Sequence, residues 1–425
     1  MKKIFFLLLT LSTLTAVSAQ RTLIYCGNLI DGIANEPKSG MTIIVEKNKI
    51  RVIQSGFVTP QTTDQVIDLK DKTVMPGLID LHVHLETEYN REQINKRMGY
   101  NPADIAFEAQ KNGLTTLMAG FTTVRDLGGT NVNIALRNAI NKGTVSGPRI
   151  LTSGRTISTT GGHGDPTNGW RGDVEFPPSV TDGVVDNPDD ARKAVRQRYK
   201  DGADWIKITA TGGVLSIAKN GKAPQFTEDE IVAIVKTAND YGFSVAAHAH
   251  GAEGMKRALR AGVKTIEHGT FLDDECIQLF KEKGAYLVPT IIAGKSTADS
   301  AKIPGYYHPL VVPKALETGP LIQAAFAKAY KAGVKIAFGT DAGVYPHGKN
   351  AKEFQYMTEV GMSPMEAIKC ATSINAEVLN MKDQIGSIEA GKFADIIATD
   401  TNPLTDIKTL QNVTFVMKDG IIYKK

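Results

Sequence analysis

Cysteine is scarce. The 425-residue chain carries three, Cys26, Cys276 and Cys370, with no CxxC spacing among them. An odd, scattered set supports neither a disulfide framework nor a thiolate metal site. The three read as small buried residues, and any metal has to be held by histidine and carboxylate. An excess of one charge is lacking too. The formal balance of +4 is small and evenly spread, which excludes nucleic acid and an anionic membrane surface as partners. There is no internal repeat, low-complexity tract or coiled-coil seam. The apolar run Ile4–Val17 is too short for a membrane span. It follows Lys2 and Lys3 and ends in Val17-Ser18-Ala19 before Gln20. Residues 1–19 therefore read as a secretory signal peptide cut after Ala19. Losing Lys2 and Lys3 takes the formal charge from +4 to +2, and no cysteine follows the cut to make a bacterial lipoprotein. The expectation is a secreted or periplasmic mature protein with no membrane attachment.

What is present is ordinary in bulk. Hydrophobic residues at 42% and charged ones at 22% fit a soluble globular chain. The length suits one large α/β domain plus a smaller one. Short β-runs fill 20–74, where Met41–Glu46 and Lys49–Ile53 flank the turn pair Lys47-Asn48. They return in 384–425, where Asp419-Gly420 makes a two-residue turn. The two ends are expected to pair into a small β-sandwich, with residues 75–383 inserted as a second domain. That middle alternates. Apolar runs stand at Val74–Val83, Phe121–Leu127, Arg149–Ile157, Trp205–Ala210, Ser244–Ala249, Val263–Glu267, Ala285–Pro289 and Val334–Gly339. Helical patterns lie between most of them, such as Glu228–Tyr241 behind the cap Thr227 and Glu230. Eight such runs predict an α/β fold with a (β/α)8 TIM barrel.

In such a barrel, functional side chains stand at the C-terminal ends of the strands. The first run ends in His82-Val83-His84, whose alternation points both imidazoles one way. In the fourth, Lys207 sits between Ile206 and Ile208 and faces the interior. A buried ammonium is costly; it is either paired, or converted by carbon dioxide into an anionic carbamate. The fifth ends in His248-Ala249-His250, the sixth in Glu267-His268, the eighth in Thr340-Asp341. Imidazole with carboxylate suits Zn, Mn, Fe or Co. With one histidine taken from the fifth run, six candidate ligands exceed what one tetrahedral ion with an open position needs, and fit two ions about 4 Å apart.

This order of ligands resembles that of the binuclear amidohydrolases. The fuller strings are similar to the imidazolonepropionase-like branch, which includes dipeptidases acting on Xaa-Pro or on dipeptides ending in Arg or Lys. They are Met75-Pro-Gly-Leu-Ile-Asp-Leu-His-Val-His, Gly120-Phe-Thr-Thr-Val-Arg-Asp-Leu-Gly-Gly, Gly161-Gly-His-Gly, Ala247-His-Ala-His-Gly, Thr265-Ile-Glu-His-Gly, Phe338-Gly-Thr-Asp-Ala-Gly and Gly386-Ser-Ile-Glu-Ala-Gly-Lys-Phe-Ala-Asp. The resemblance implies two divalent ions, Zn foremost, with Lys207 N-carboxylated. His82, His84, Lys207 and Asp341 would hold one ion, and Lys207, His248 and His268 the other. His250 is then an outer neighbour or a substrate contact. True imidazolonepropionases use one metal and lack the bridging lysine, so their reaction does not carry over.

The expected chemistry is hydrolysis of an amide by a hydroxide held between the ions, with Asp341 as general base and then acid. His163, in the glycine-rich Thr159–Gly164, is the candidate oxyanion donor. Arg125 either grips a substrate carboxylate or pairs with Asp126 or another acid. Tyr345 and His347 are candidate rim contacts, Trp205 a packing residue and Trp170 a rim residue. The substrate is expected to be a dipeptide or another small molecule. Lactones, cyclic amides and N-acyl amino acids are the alternatives, a non-catalytic periplasmic metal- or peptide-binding protein is a remote one, and a homo-oligomer is possible.

Overall fold

The computed structural model describes residues 20–90, 99–171 and 178–425; the expected signal segment, 1–19, lies outside them. Four strands come first: β1 (Arg21–Leu29), β2 (Lys38–Glu46), β3 (Lys49–Ser55) and β4 (Gln65–Pro76). Eight follow in the middle: β5 (Leu78–Val83), β6 (Phe121–Asp126), β7 (Arg149–Thr152), β8 (Ile206–Thr209), β9 (Val245–Gly251), β10 (Thr265–Phe271), β11 (Tyr286–Val288) and β12 (Lys335–Ile336). Three close the chain: β13 (Ile396–Thr399), β14 (Phe415–Lys418) and β15 (Ile421–Lys424). The architecture is α/β.

Both chain ends build one sheet, in the order β15-β14-β13-β4-β1-β2-β3. Lys47 and Asp419 take left-handed φ values of 55° and 49° in the turns that the Lys47-Asn48 and Asp419-Gly420 pairs predict. Alternating residues of this sheet, among them Ile24, Ile43, Ile67, Ile396 and Phe415, form its core. β4 is the join. It pairs parallel with β1 and antiparallel with β13, Pro76 opposite Ile396, and the chain enters β5 two residues later.

The eight middle strands fall where the eight apolar runs predict strands, and all pair in parallel, β5-β6-β7 in one arc and β8 to β12 in another. The arcs exchange hydrogen bonds at both edges. On one side Ile157 N–H donates to Lys207 O at 2.8 Å, and Ile157 O accepts from Thr209 N–H at 3.1 Å. On the other, Leu81 N–H donates to Phe338 O at 3.1 Å and His84 N–H to Ala342 O at 2.8 Å. Asn375 ties that second edge from outside, its side chain bonded to Ile79 O, Phe338 O and Phe338 N–H. Ile206, Ile208, Val245, Ala247 and Ile266 face the surrounding helices in the main core. The intervening residues Lys207, Ala246, His248 and Glu267 therefore face the interior. Helix Glu228–Asp240 carries the predicted Thr227–Glu230 capping box and buries Ile231, Ile234, Val235 and Ala238. The three cysteines are buried and free. No helix of the described residues is long and apolar enough to cross a membrane.

Candidate active site

The interior side chains converge at the C-terminal strand ends. His82 and His84 leave β5 on one face, ring centroids 5.3 Å apart. His248 and His250 leave β9 likewise, 4.8 Å apart. His268 directly follows the inward-facing Glu267, so strict alternation would send it outward. Its φ of 74° turns it inward instead. Asp341 uses the same device after β12, with φ 60° and its N–H on His82 O at 2.7 Å. Non-glycine residues hold such backbone only where the surroundings impose it, at a cost of about 1–3 kcal/mol each.

The result is a compact donor set. Lys207 Nζ lies 3.4 Å from His82 Nε2. Asp341 Oδ1 lies 3.4 Å from His82 Nε2 and 3.2 Å from His84 Nε2. The His268 ring is 5.2 Å from that of His82, 4.6 Å from His248 and 4.8 Å from His250. Two groups, His82–His268–Asp341 and His248–His250–His268, each bring their ligand atoms within 4.8 Å of one another. His250 thus stands inside the cluster beside His248. The outer ring nitrogens are held from behind, as metal-binding imidazoles require. His82 Nδ1 meets Glu267 Oε2 at 2.9 Å, His84 Nδ1 meets Gly128 O at 3.2 Å, His250 Nδ1 meets Thr270 Oγ1 at 2.9 Å and His268 Nδ1 meets Thr290 Oγ1 at 2.7 Å. Buried Asp80 fixes the two strand ends together, accepting from His82 N–H, Thr340 N–H, Thr340 Oγ1 and Asn350 Nδ2.

Burial keeps most imidazoles neutral. It pushes His82 and His250 down to about 4 and His163 to about 3, and holds His248 and His268 well below the ordinary histidine range, with the charge of Lys207 adding to each. A neutral imidazole offers a lone pair to a cation. For His84, burial is overridden by the hydrogen bond and charge of Asp341, and its pKa is raised. Burial also opposes ionisation of Asp341, yet His82, His84 and Lys207 keep it below the usual carboxylate range. Burial lowers the Lys207 ammonium to about 8, against the attraction of Glu267 and Asp341. Neutral imidazoles around a carboxylate fit a borderline divalent ion of the Zn class.

The cluster opens on a cavity whose other walls include Leu127, Val214, Leu215, Ala293, Ile322 and Val344. His163 lines it, its ring 4.4 Å from that of His248 and its Nδ1 buried without a hydrogen-bond partner. Three sequence expectations need correction. Arg125 is fully buried and bonds Leu81 O at 2.7 Å, Thr265 Oγ1 at 3.2 Å and Glu267 Oε1 at 2.9 Å, with Trp205 packed on its guanidinium. Of its two expected roles the grip on a substrate carboxylate is the one that fails; the pairing with another acid holds, and that acid is Glu267. His347 is spent on Thr116 Oγ1 and Thr87 O, and Tyr345 is buried; neither borders the cavity. Sequence reasoning missed Glu267, Asp80 and Thr290 as supports of the histidines. Glu267 lay in a quoted motif, but its neighbour His268 took the inward position by the family pattern.

A metal-fitting ring of histidines, lysine and aspartate at the ends of parallel strands defines a metal-dependent hydrolase. Residues 73–422 match the amidohydrolase family model, and the chain belongs to that family, as a hydrolase of carbon–nitrogen bonds. It is similar to a Xaa-Pro dipeptidase solved with methionine bound in its active site (51% identity, TM-score 0.93, covering 96% of this chain and 100% of that one). It is also similar to a prolidase complexed with N-methylphosphonate-L-proline (34% identity, TM-score 0.88, 96% and 100% covered). A third relative is the ochratoxinase of Aspergillus niger, 34% identical over 442 residues, covering 96% of this chain and 87% of that protein.

Proposed function

We propose that this protein is a secreted or periplasmic metallo-dipeptidase that removes an apolar C-terminal residue, Xaa-Pro foremost. The observation that carries the reading is the convergence of His82, His84, Lys207, His248, His268 and Asp341 beside one cavity, with His268 and Asp341 bent inward by left-handed backbone. The eight strands are read as a closed (β/α)8 barrel, and the sheet of the chain ends as a β-sandwich folded on its own core.

His82, His84, Lys207 and Asp341 would hold one divalent ion, and Lys207 as its carbamate, His248 and His268 a second, with His250 close enough to join. When bound, such ions lower the pKa of water and polarise a carbonyl. The chain does the rest. Asp341, ionised and 12% exposed on its side chain, accepts a proton at its carboxylate from the attacking water and returns it to the leaving amine nitrogen. His163, neutral and beside His248, donates an N–H to the oxygen that gains charge. Glu267, held down to about 2 by Arg125 and His82 against its burial, keeps His82 oriented.

Leu127, Val214, Leu215, Ile322 and Val344 favour an apolar side chain. Among the described residues lining the cavity, Asp341 is the one carboxylate, which leaves no acid for the side chain of a C-terminal Arg or Lys. Similarity to a Xaa-Pro dipeptidase and a prolidase supports this choice. Similarity to ochratoxinase supports a second reading, a bulkier N-acyl amino acid. The test is amino-acid release from Xaa-Pro, Xaa-Met, Xaa-Arg, Xaa-Lys and N-acyl substrates by zinc- and bicarbonate-loaded protein. Preference for Xaa-Pro is expected, with kcat about 100- to 10,000-fold lower in Asp341→Asn. Release from N-acyl substrates alone would favour the second reading, and release from none with metals bound would overturn both.

A further inference from the structure

Beyond β8 the chain folds back on itself as a narrow ribbon before it enters the next helix. Thr211 pairs antiparallel with Pro224. Gly212 N–H donates to Ala223 O at 3.0 Å, and Gln225 N–H to Ala210 O at 3.0 Å. The ribbon therefore continues the strand that carries Lys207. Both of its arms reach His163, which comes from the loop after β7. One arm holds the main chain: His163 N–H donates to Gln225 Oε1 at 2.8 Å.

The other arm holds the ring. A Cβ on Gly213 would lie 2.2 Å from His163 Cε1, 2.3 Å from Nδ1 and 2.5 Å from Cγ, far inside van der Waals contact. Gly213 is not among the glycines with left-handed φ, so its backbone does not call for glycine; the imidazole does. Neighbouring Gly212 differs, since a Cβ there would strike the backbone of Asn220 and Gly221 within the ribbon itself. The Gly213 arm is also braced from behind. Buried Lys314, near the start of helix Val312–Lys331, donates to Gly213 O at 3.0 Å and to Ser216 O at 2.7 Å. The remaining contact on the ring is His248, 4.4 Å away between centroids. The two ring nitrogens fare differently. Nδ1 is buried without a partner, whereas Nε2 is neither buried nor bonded among the described residues, on a side chain that lines the cavity. A buried N–H without an acceptor is costly. The single proton of the neutral ring therefore belongs on Nε2, where a substrate oxygen can accept from it.

We propose that Gly213 and Gln225 are positioning residues, through which the ribbon after β8 seats His163 beside His248 with its Nε2–H left to the cavity. The proposal rests on the oxyanion role given to His163 above. It ties that donor to the strand of Lys207, so that the loop after β7 keeps its register with the candidate metal ligands.

The experiment is a double-mutant cycle on zinc- and bicarbonate-loaded protein, with the best of the dipeptide and N-acyl substrates. The variants are Gly213→Ala, Gln225→Ala, Gln225→Glu and His163→Ala, and the first two again in the His163→Ala background, with zinc content and melting temperature recorded for each. Gly213→Ala and Gln225→Ala are each expected to lower kcat about 10- to 100-fold, with KM within about twofold and zinc unchanged. Gln225→Glu, which keeps an acceptor oxygen for the His163 N–H, should recover most of the loss. In the His163→Ala background neither substitution should lower kcat further. Equal losses with and without His163, no loss where His163 is intact, or a loss of zinc would overturn the positioning role. If no substrate is cleaved, or if His163→Ala is as active as wild type, the oxyanion role fails separately. Crystal structures of wild type and Gln225→Ala then decide the positioning. A His163 ring displaced from Gly213 and His248 in the variant sustains it; a ring left in place overturns it.

Discussion

Among single residues, Lys207 ties the electrostatics of the site to its assembly. It is buried between apolar neighbours, beside His82 and under the influence of Glu267 and Asp341. A carbamate forms from the neutral amine, and burial lowers this amine from 10.5 to about 8. The neutral fraction is therefore small at pH 6.5, substantial at pH 8 and nearly complete at pH 9, whereas an exposed lysine would still be almost wholly charged there. Reactivation of metal-free protein by zinc and bicarbonate is expected to quicken through pH about 8 and then level. Carbon-13 bicarbonate should give a carbamate resonance that Lys207→Met lacks. Acceleration continuing to pH 10, or a resonance surviving in Lys207→Met, would show that another group takes up the carbon dioxide. The inward placement of Lys207, His82 and His248 was legible because alternation along a strand is a local rule. Arg125 was not: its exposure and its partner Glu267 are set by contacts 142 residues apart in sequence. Lys314 gave no signal, because a lysine in an amphipathic helix ordinarily reaches solvent.

Among elements, helix Ile291–Ala301 shows how a wall of the cavity is anchored. It begins directly after Thr290, whose φ of 49° is left-handed and whose hydroxyl holds His268. The first helical N–H groups need acceptors. Buried Glu353, from helix Lys352–Glu359, supplies both oxygens, to Ile291 N–H at 2.8 Å and Ile292 N–H at 2.7 Å. Burial raises this carboxyl to about 8 in spite of those bonds. Glu353→Ala would strand two buried donors and destabilise the protein by about 2 kcal/mol. It should also loosen His268 and lower bound zinc, with Glu353→Gln intermediate because its amide oxygen keeps one bond. Unchanged zinc stoichiometry in Glu353→Ala, read by elemental analysis, would separate the helix anchor from the metal ligand. The strands of this region were visible as apolar runs, even where a regular ladder is short, as in β7 and β12. The Glu353 contact was invisible, since a glutamate in the first turn of an exposed-looking helix is normally solvated. That β4 would lie parallel to β1 and antiparallel to β13 was also beyond the sequence, which marks strands but not their neighbours.

Across the whole molecule, the sheet made from the two chain ends must be held against the strands it encloses; Met75, Ile397, Val413 and Val416 join the main apolar core, and a polar contact stands beside them. Arg149 opens β7 at the end remote from the cavity. It pairs with Asp395, the last residue of the Gly386–Asp395 motif, and with Asp419 in the β14–β15 turn, while Phe393 packs on its guanidinium. Asp395 also takes the N–H of Asp419, and its carbonyl takes the N–H of Gly77, where the chain passes from β4 into β5. One arginine therefore joins the middle strands, the C-terminal motif and the crossing between domains, and that motif serves docking rather than chemistry. Removing one member of a buried ion pair leaves charges without compensation and costs about 3–5 kcal/mol. Arg149→Met is expected to lower the melting temperature clearly, with kcat and KM of the folded enzyme unchanged. Adding Asp395→Asn and Asp419→Asn should return part of the loss, because the stranded carboxylates then no longer need a cation. A melting temperature equal to wild type would mean that the apolar contacts alone dock the sheet. A fall in kcat with stability intact would mean instead that β7 transmits this end of the molecule to His163.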